Sequence, residues 1–243
     1  MRYPELVPGI LLRRYKRFLA DVRLDDGREV VAHCPNTGSM RAVNVPGCRV
    51  WLAPSDNPRR KLAWTWELIE LPQPEGGMAL ASVQTGRANR IVEEALHTER
   101  VDELAGAGEW RREARVEGAR LDFRRPGEEG RDTFVEVKQV TLREDDGHGY
   151  FPDAVSERGR KHLETLAALA ARGHRAVLLF LVAHEAIADV APAGHLDPAY
   201  AETLVRVAGQ GVEVMARGIR VVRDGNGYPL TISLGKALPV RLA

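Results

Sequence analysis

This chain of 243 residues lacks most features that mark secreted or membrane proteins. It has two cysteines, Cys34 and Cys48, which form one disulfide at most and so exclude a disulfide scaffold. The longest dense apolar run, 177–183, covers about a third of the roughly 20 residues that a membrane helix needs. Met1–Glu5 shows no charged-then-apolar signal pattern. These absences predict a cytoplasmic protein without a membrane association.

An excess of charge of one sign is also missing. The chain has 35 Lys and Arg residues against 34 Asp and Glu residues, a formal net charge of +1. This balance excludes a uniformly polycationic nucleic-acid arm, although it leaves room for a local basic patch. The hydrophobic fraction of 44% is close to the globular norm, and the length suits one or two domains.

The sequence pattern changes at the Pro- and Gly-rich stretch Pro72–Gly77. Before it, short strand-like segments are separated by turn-forming residues, such as Asp25–Gly27 and Pro54–Pro58. No helix-length pattern occurs before residue 88. Short strands with polar loops predict a five-stranded barrel of the oligonucleotide-binding (OB) type in residues 1–77.

After this stretch, helical and strand patterns alternate. Helices are predicted at 88–96, 159–172 and 198–208, and strands at 112–116, 120–124, 133–142, 176–182 and 212–215. A turn at Glu117–Gly118 separates the first two strands. The alternation predicts α/β layering around a mixed sheet in residues 78–243.

Two of these strands carry the sharpest chemical signal, in the segments Leu121-Asp122-Phe123 and Val135-Glu136-Val137-Lys138. Side chains alternate between the faces of a strand. A register that buries the four apolar residues therefore puts Asp122, Glu136 and Lys138 on one face. Two carboxylates with Cβ atoms about 5–8 Å apart repel each other unless a cation lies between them. Hard oxygen ligands favour Mg²⁺, with Mn²⁺ as the alternative metal.

The Asp…Glu-x-Lys arrangement is similar to that of restriction-endonuclease-like nucleases. In this interpretation Asp122 and Glu136 hold the metal, and Lys138 orients water or stabilises charge on the phosphate. The helix at 88–96 would add a carboxylate, and helical geometry does not choose between Glu93 and Glu94. The alternative is a polar outer strand face that binds nothing.

Three groups of basic residues are candidates for nucleic-acid binding. The first surrounds Tyr15 and Phe18, and its cations would follow phosphates while the aromatic rings stack on bases. Its alternative is a charged strand whose aromatic rings face the barrel core. The second lies in a barrel loop and the third on one face at the start of a helix, and for both the alternative is simple solvation. The groups are Arg13, Arg14, Lys16 and Arg17; Arg59, Arg60 and Lys61; and Arg158, Lys161 and His162.

Ten blocks of the sequence together resemble the sugar fermentation stimulation protein family over nearly the whole length. They are 14–22, 33–40, 55–62, 65–68, 89–96, 122–123, 135–138, 151–163, 197–200 and 211–214. The resemblance implies an OB barrel followed by a restriction-endonuclease-like domain, DNA binding without strong sequence preference, and a link to sugar-utilisation genes. It favours Glu94 as the helix carboxylate and puts another acidic position at Glu113. The chain departs from the family pattern at Val83-Gln84-Thr85 and Val182-Ala183-His184.

The leading hypothesis is therefore a DNA-binding protein that cleaves DNA with Mg²⁺. One alternative is a DNA-binding regulator whose carboxylates are vestigial. Another is a nuclease for RNA or single strands, which also fits a barrel. The sequence leaves the oligomeric state and the physiological substrate open.

Overall fold

The computed structural model describes residues 1–55, 57, 59–116 and 118–242, and the expected turn residues Asp56, Pro58 and Glu117 lie outside this description. The first part of the chain forms six strands. They are β1 Val7–Tyr15, β2 Leu19–Leu24, β3 Glu29–His33, β4 Arg49–Pro54, β5 Trp64–Pro72 and β6 Met78–Ser82. Their order is β3-β2-β1-β4-β5-β6, and an additional pairing of β3 with β5 closes the first five into a barrel. The predicted OB-type barrel is thus confirmed.

The turn at Asp25–Gly27 shows how the sequence specifies this barrel. Gly27 has a φ of +88°, which glycine adopts without steric cost, and it joins the antiparallel strands β2 and β3. The barrel interior holds the buried side chains of Leu11, Val22, Trp66 and Ile69. β6 follows the predicted linker and still pairs with β5, so the boundary between residues 77 and 78 stays a prediction.

The second part of the chain forms a mixed sheet with helices on both faces. Its helices are α1 Thr85–His97, α2 Glu157–Ala171 and α3 Pro198–Gly209. The sheet strands are β7 Arg111–Val116, β8 Ala119–Arg125, β9 Thr133–Val140, β12 Arg175–Val182, β14 Glu213–Arg223 and β15 Pro229–Leu238. A small separate sheet holds β10 Leu142–Arg143, β11 Gly149–Phe151 and β13 Val190–Pro192. The predicted mixed sheet with flanking helices is confirmed.

The order of the large sheet is β15-β14-β12-β9-β8-β7, with β9, β12 and β14 parallel and the outer pairs antiparallel. α1 packs on one face, in a cluster with Val135, Val137 and Leu179 that also includes the barrel residue Leu68. The helices α2 and α3 pack on the other face. The barrel and the sheet therefore share one apolar core on the α1 side.

One packing prediction is wrong. Phe123 packs on the α1 side with Val135, as expected, but Leu121 lies in the cluster on the α2 side. The change of face occurs where Glu113 of β7 has a φ of +56°, between the cross-strand pairs Arg112–Phe123 and Ala114–Leu121. A left-handed residue inside a strand turns the strand locally, here without a shift in the β7–β8 register, and regular alternation fails there.

No helix in the described part of the chain has both the length and the apolar character to cross a membrane.

Candidate functional site

The two strands that carry the predicted site separate from each other where the site begins. The ladder between β8 and β9 ends at the pair Phe123–Val135. Beyond it, Oδ2 of Asp122 accepts a hydrogen bond from the backbone N–H of Val137 at 2.8 Å. Oδ1 accepts another from the Asn89 side-chain amide of α1 at 2.6 Å. The Asp122 carboxylate is therefore held at the gap between the strands.

Glu136 of β9 is the most buried acid of the site, with 2% of its surface exposed. Its Oε1 accepts a hydrogen bond from Lys138 Nζ at 2.6 Å and contacts Nδ1 of His162. Its Oε2 is buried and has no hydrogen-bond partner among the described residues. A buried carboxylate oxygen without a partner is costly, so this atom requires an explanation.

His162 lies on α2 and contacts both the site residues of β9 and Arg158 of its own helix. Its Nδ1 is 3.3 Å from Lys138 Nζ, and its Nε2 is 3.5 Å from Arg158 Nε. Because arginine only donates, the contact with Arg158 fits the tautomer that carries the proton on Nδ1. That proton is then donated to Glu136. Residues on β9 and on the helices α1 and α2, which pack on opposite faces of the sheet, thus hold the two carboxylates.

The electrostatics of the two carboxylates differ. Burial, together with the nearby charge of Glu136, raises the pKa of Asp122 to about 6, although the hydrogen bonds from Val137 and Asn89 oppose the rise. Burial also acts to raise the pKa of Glu136, but the hydrogen bond with His162 and the charge of Lys138 outweigh it and lower that pKa. The Asp122 carboxylate is therefore less well compensated by positive charge than Glu136 is, and a cation beside Asp122 would be favourable.

The predicted third carboxylate lies elsewhere. Glu94 pairs with the N-terminal ammonium of Met1 at 2.8 Å, and the same ammonium donates to the carbonyl of Ile232 on β15. Three strands separate β15 from β8 in the sheet, which is roughly 19 Å at the usual strand spacing. The structure therefore does not bring Glu94 to Asp122.

The other two acids that were considered are also engaged. Glu93 pairs with Arg112 at 3.3 Å, and Glu113 pairs with Arg120 at 2.7 Å. Among the described residues, no three His, Cys, Asp or Glu side chains form a group that could hold a metal ion. The described side chains alone thus offer a two-carboxylate site rather than a closed metal cage.

The predicted basic residues of the barrel fall into two kinds. Arg13 pairs with Asp21 at 2.7 Å, and Arg14 donates to the backbone carbonyls of Arg17, Asn36 and Gly38 at 2.7–3.1 Å. Arg60 donates to Thr65 Oγ1 at 3.1 Å. Lys16, Arg17, Arg59 and Lys61 are exposed to solvent at a turn or loop, and Arg60 is exposed as well, apart from its bond to Thr65. Arg14 therefore holds a loop together instead of facing a ligand.

The basic group on α2 also contains both exposed and buried side chains. Arg158 and Lys161 are exposed, whereas His162 is 6% exposed and faces Glu136. The expectation that His162 shares an exposed basic face is wrong, because its ring turns to the sheet. Sequence reasoning also missed Asn89, whose place one helical turn before Glu93 was the available signal. Nothing local to His162 indicates its partner, which lies 26 residues earlier in the chain.

Two family models match the chain. The "SfsA N-terminal OB domain" matches residues 12–79, and the "Sugar fermentation stimulation protein RE domain" matches residues 86–225. A sugar fermentation stimulation protein homolog of Chromohalobacter salexigens is 67% identical over 242 residues, covering 100% of this chain and 95% of the relative. A homolog of Marinomonas sp. is 50% identical over 238 residues, covering 98% and 90%.

A solved structure also matches, that of Pyrococcus furiosus SfsA in complex with Ca²⁺. The two chains are 29% identical and superpose with a TM-score of 0.84, over 99% of this chain and 98% of the other.

Proposed function

The chain belongs to the sugar fermentation stimulation protein family, and we propose that it binds DNA without strong sequence preference and hydrolyses phosphodiester bonds with Mg²⁺ held by Asp122 and Glu136. The observation that carries this proposal is the buried Glu136 Oε2, which has no hydrogen-bond partner among the described residues, together with the nearby Asp122, whose pKa the charge of Glu136 helps to raise. A DNA-binding regulator without catalysis is the second candidate, and a nuclease for RNA or single strands is the third. The link to sugar utilisation rests on the family name.

The donor set fits a hard divalent cation. Mg²⁺ is usually held by one or two carboxylates and completes its shell with water and substrate phosphate, so two acids suffice. A cation at Glu136 Oε2 would satisfy an atom that is buried and has no partner within the described part of the chain. The Pyrococcus furiosus relative was solved with Ca²⁺, which also prefers oxygen ligands. Mn²⁺ is the alternative metal for the same ligands.

The other side chains have separate tasks. A bound cation would supply Lewis acidity that polarises the scissile phosphate. Lys138 has a compact positive charge 2.6 Å from Glu136 Oε1, and it stabilises charge that develops on the phosphate. Asn89 and His162 each hold one carboxylate in place, as residues behind a metal site commonly do.

The barrel is the proposed DNA-binding module, in residues 1–77, and the sheet with its helices in 78–243 is the proposed hydrolytic domain. Five-stranded OB barrels bind oligonucleotides through one sheet face and the adjoining loops. Lys16, Arg17, Arg59 and Lys61 are exposed there, and Arg13 and Arg60 are exposed beside their partners Asp21 and Thr65. Arg158 and Lys161 add positive charge beside the site. Since phosphate contacts release counterions, affinity should fall steeply with salt.

The test uses supercoiled plasmid with Mg²⁺ or Mn²⁺ and compares Asp122→Asn and Lys138→Ala with the unaltered protein. We expect each change to slow cleavage by about 100-fold or more, because each removes a ligand or a charge that the reaction needs. Glu94→Gln is the matched control, a carboxylate-to-amide change on α1, and it should cleave at the unaltered rate. Circular dichroism verifies that each variant folds.

The outcomes separate the candidates. DNA binding without cleavage under either metal would support the non-catalytic regulator and contradict the hydrolytic proposal. Cleavage that survives in Asp122→Asn would contradict the assigned ligands. Parallel reactions on duplex DNA, single-stranded DNA and RNA identify which nucleic acid is cut, and exclusive cutting of RNA or single strands would favour the third candidate.

A further inference from the structure

Two arginines stand opposite each other on the hairpin of β7 and β8, close to the candidate site. Arg120 lies two residues before Asp122 on β8, which is about 7 Å along a strand. Arg115 of β7 is the direct cross-strand partner of Arg120. We call these two residues the arginine pair. None of the sequence-based candidates for nucleic-acid binding includes them.

The change of face at Glu113 turns the arginine pair to solvent. Beyond Glu113, Ala114, Val116 and Leu121 pack into the cluster on the α2 side. Because side chains alternate along a strand, Arg115 and Arg120 lie on the opposite side of the hairpin. Arg115 is exposed, and the Arg120 side chain is 60% exposed. A strand with regular alternation through residue 113 would have placed these arginines differently.

The arginine pair is unfavourable for the isolated protein. Like charges directly opposite each other on neighbouring strands destabilise a sheet. Glu113 offsets one of the two charges through Arg120, whereas Arg115 has no ion-pair partner within the described ranges. On the same hairpin, Arg112 and Arg124 are matched with Glu93 and Asp132. An anion from outside would remove the repulsion in the arginine pair.

The position of the arginine pair identifies that anion. Phe123, Arg124 and Arg125 of β8 pair with β9, whereas the residues that precede Phe123 do not. The gap between the two strands therefore begins at Asp122 and opens toward Arg120. A strand of nucleic acid that enters at this open side passes the arginine pair before it reaches Asp122. Planar guanidinium groups at adjacent positions match phosphate oxygens well.

We propose that Arg115 and Arg120 bind the phosphodiester backbone of DNA as it enters the gap between β8 and β9. This inference rests on the proposed function, since it concerns the same site. It names a positioning surface that delivers substrate and assigns no chemical step to the arginines.

Arg111 provides a control at a matched distance. It is exposed on β7, and within the described part of the chain it has no ion-pair partner. Arg111 and Arg115 lie two residues to either side of Glu113, and the pairs Arg112–Phe123 and Ala114–Leu121 bracket the positions of Glu113 and Asp122. Arg111 is thus as far from Asp122 as Arg115 is, but at the end where β8 and β9 stay paired.

The experiment measures binding of the full chain to a fluorescent DNA duplex of about 30 base pairs by anisotropy, without Mg²⁺, at several salt concentrations. The double variant R115Q/R120Q should bind about tenfold or more weakly. The slope of log affinity against log salt should fall by about 2, one unit for each lost phosphate contact. R111Q should stay within about twofold of the unaltered protein, and R115K/R120K should keep most of the slope because it keeps the charge.

Unchanged affinity and slope in R115Q/R120Q would overturn this inference while leaving the proposed function intact. An equal loss in R111Q would also overturn it, because the effect would then reflect net charge and not position. If the unaltered protein bound no DNA, the proposed function itself would fail. Circular dichroism and gel filtration verify that the variants fold as the unaltered protein does.

Discussion

At the scale of single residues, charge alone does not tell a structural cation from a binding one. Arg14 and Lys16 stand two positions apart in the same basic segment. The Arg14 guanidinium donates hydrogen bonds to the carbonyls of Arg17, Asn36 and Gly38. These bonds join the turn after β1 to the loop after β3. Lys16 is exposed at that turn. The five donors of arginine suit such a task, whereas lysine offers a flexible point charge.

This contrast gives a prediction for Arg14→Ala. The change should lower the free energy of unfolding by about 1 kcal/mol, because it removes charge-assisted hydrogen bonds whose mostly exposed carbonyls then bind water. It should leave the salt dependence of DNA binding nearly unchanged. Urea unfolding and binding titrations measure the two effects. Lys16→Gln is the comparison variant. It should leave the free energy of unfolding nearly unchanged and reduce the salt dependence of DNA binding. A salt slope that falls more in Arg14→Ala than in Lys16→Gln would contradict this assignment.

At the scale of elements, the β7–β8 hairpin departs from ideal strand geometry at one residue. Glu113 adopts a left-handed backbone conformation, with φ +56°, next to the pair that includes Leu121. Such conformations cost about 1 kcal/mol or more for residues with a Cβ atom, and they persist where the surrounding structure requires them. Here the requirement is that Phe123 and Leu121 fill different cores.

Two substitutions at position 113 isolate this backbone strain. Glu113→Gly and Glu113→Ala both remove the ion pair with Arg120, so they differ mainly in the presence of a Cβ atom. We expect the glycine variant to be more stable than the alanine variant by about 1 kcal/mol, the reverse of their usual order in a strand. Chemical denaturation of both proteins measures the difference. An alanine variant that equals or exceeds the glycine variant would show that the strand relaxes at this point.

At the scale of the whole molecule, the barrel and the sheet are joined by a shared core and by a buried ion pair. Glu67 of β5 pairs with Arg87 of α1, and the two residues are 3% and 6% exposed. The Arg87 guanidinium also lies 4.4 Å from the centre of the Tyr3 ring. The same α1 supplies Asn89 to the candidate site. The ion pair therefore fixes the helix that orients Asp122 relative to the barrel.

The prediction for this ion pair concerns stability. Arg87→Met alone should cost about 3–5 kcal/mol, since it leaves the Glu67 carboxylate buried without its partner. The double variant Glu67→Leu with Arg87→Met should recover much of that loss, because neither charge is then buried alone. A double-mutant cycle by urea unfolding measures the coupling. Additive losses in the two single variants would contradict a direct interaction.

Much of the fold and part of the site follow from local patterns. The Asp-Gly turn between β2 and β3, the apolar stripe of α1 and the Glu-x-Lys spacing on β9 each involve near neighbours in the chain. Such neighbours have fixed relative positions once a strand or helix forms. The contact of Lys138 with Glu136, two positions away on β9, could be predicted for this reason. Regular alternation gave the wrong face to Leu121, because one left-handed residue on the partner strand breaks it.

By itself, the sequence determined the barrel, the mixed sheet and the paired strands that carry Asp122, Glu136 and Lys138. Only the tertiary structure decided the partners of the charged groups: His162 for Glu136, Asn89 for Asp122, and the N-terminus for Glu94. The physical reason is range. Strand and helix periodicity depends on residues a few positions apart. The partner of a charged group is instead set by tertiary packing, and the three partners here lie 26, 33 and 93 positions away in the chain.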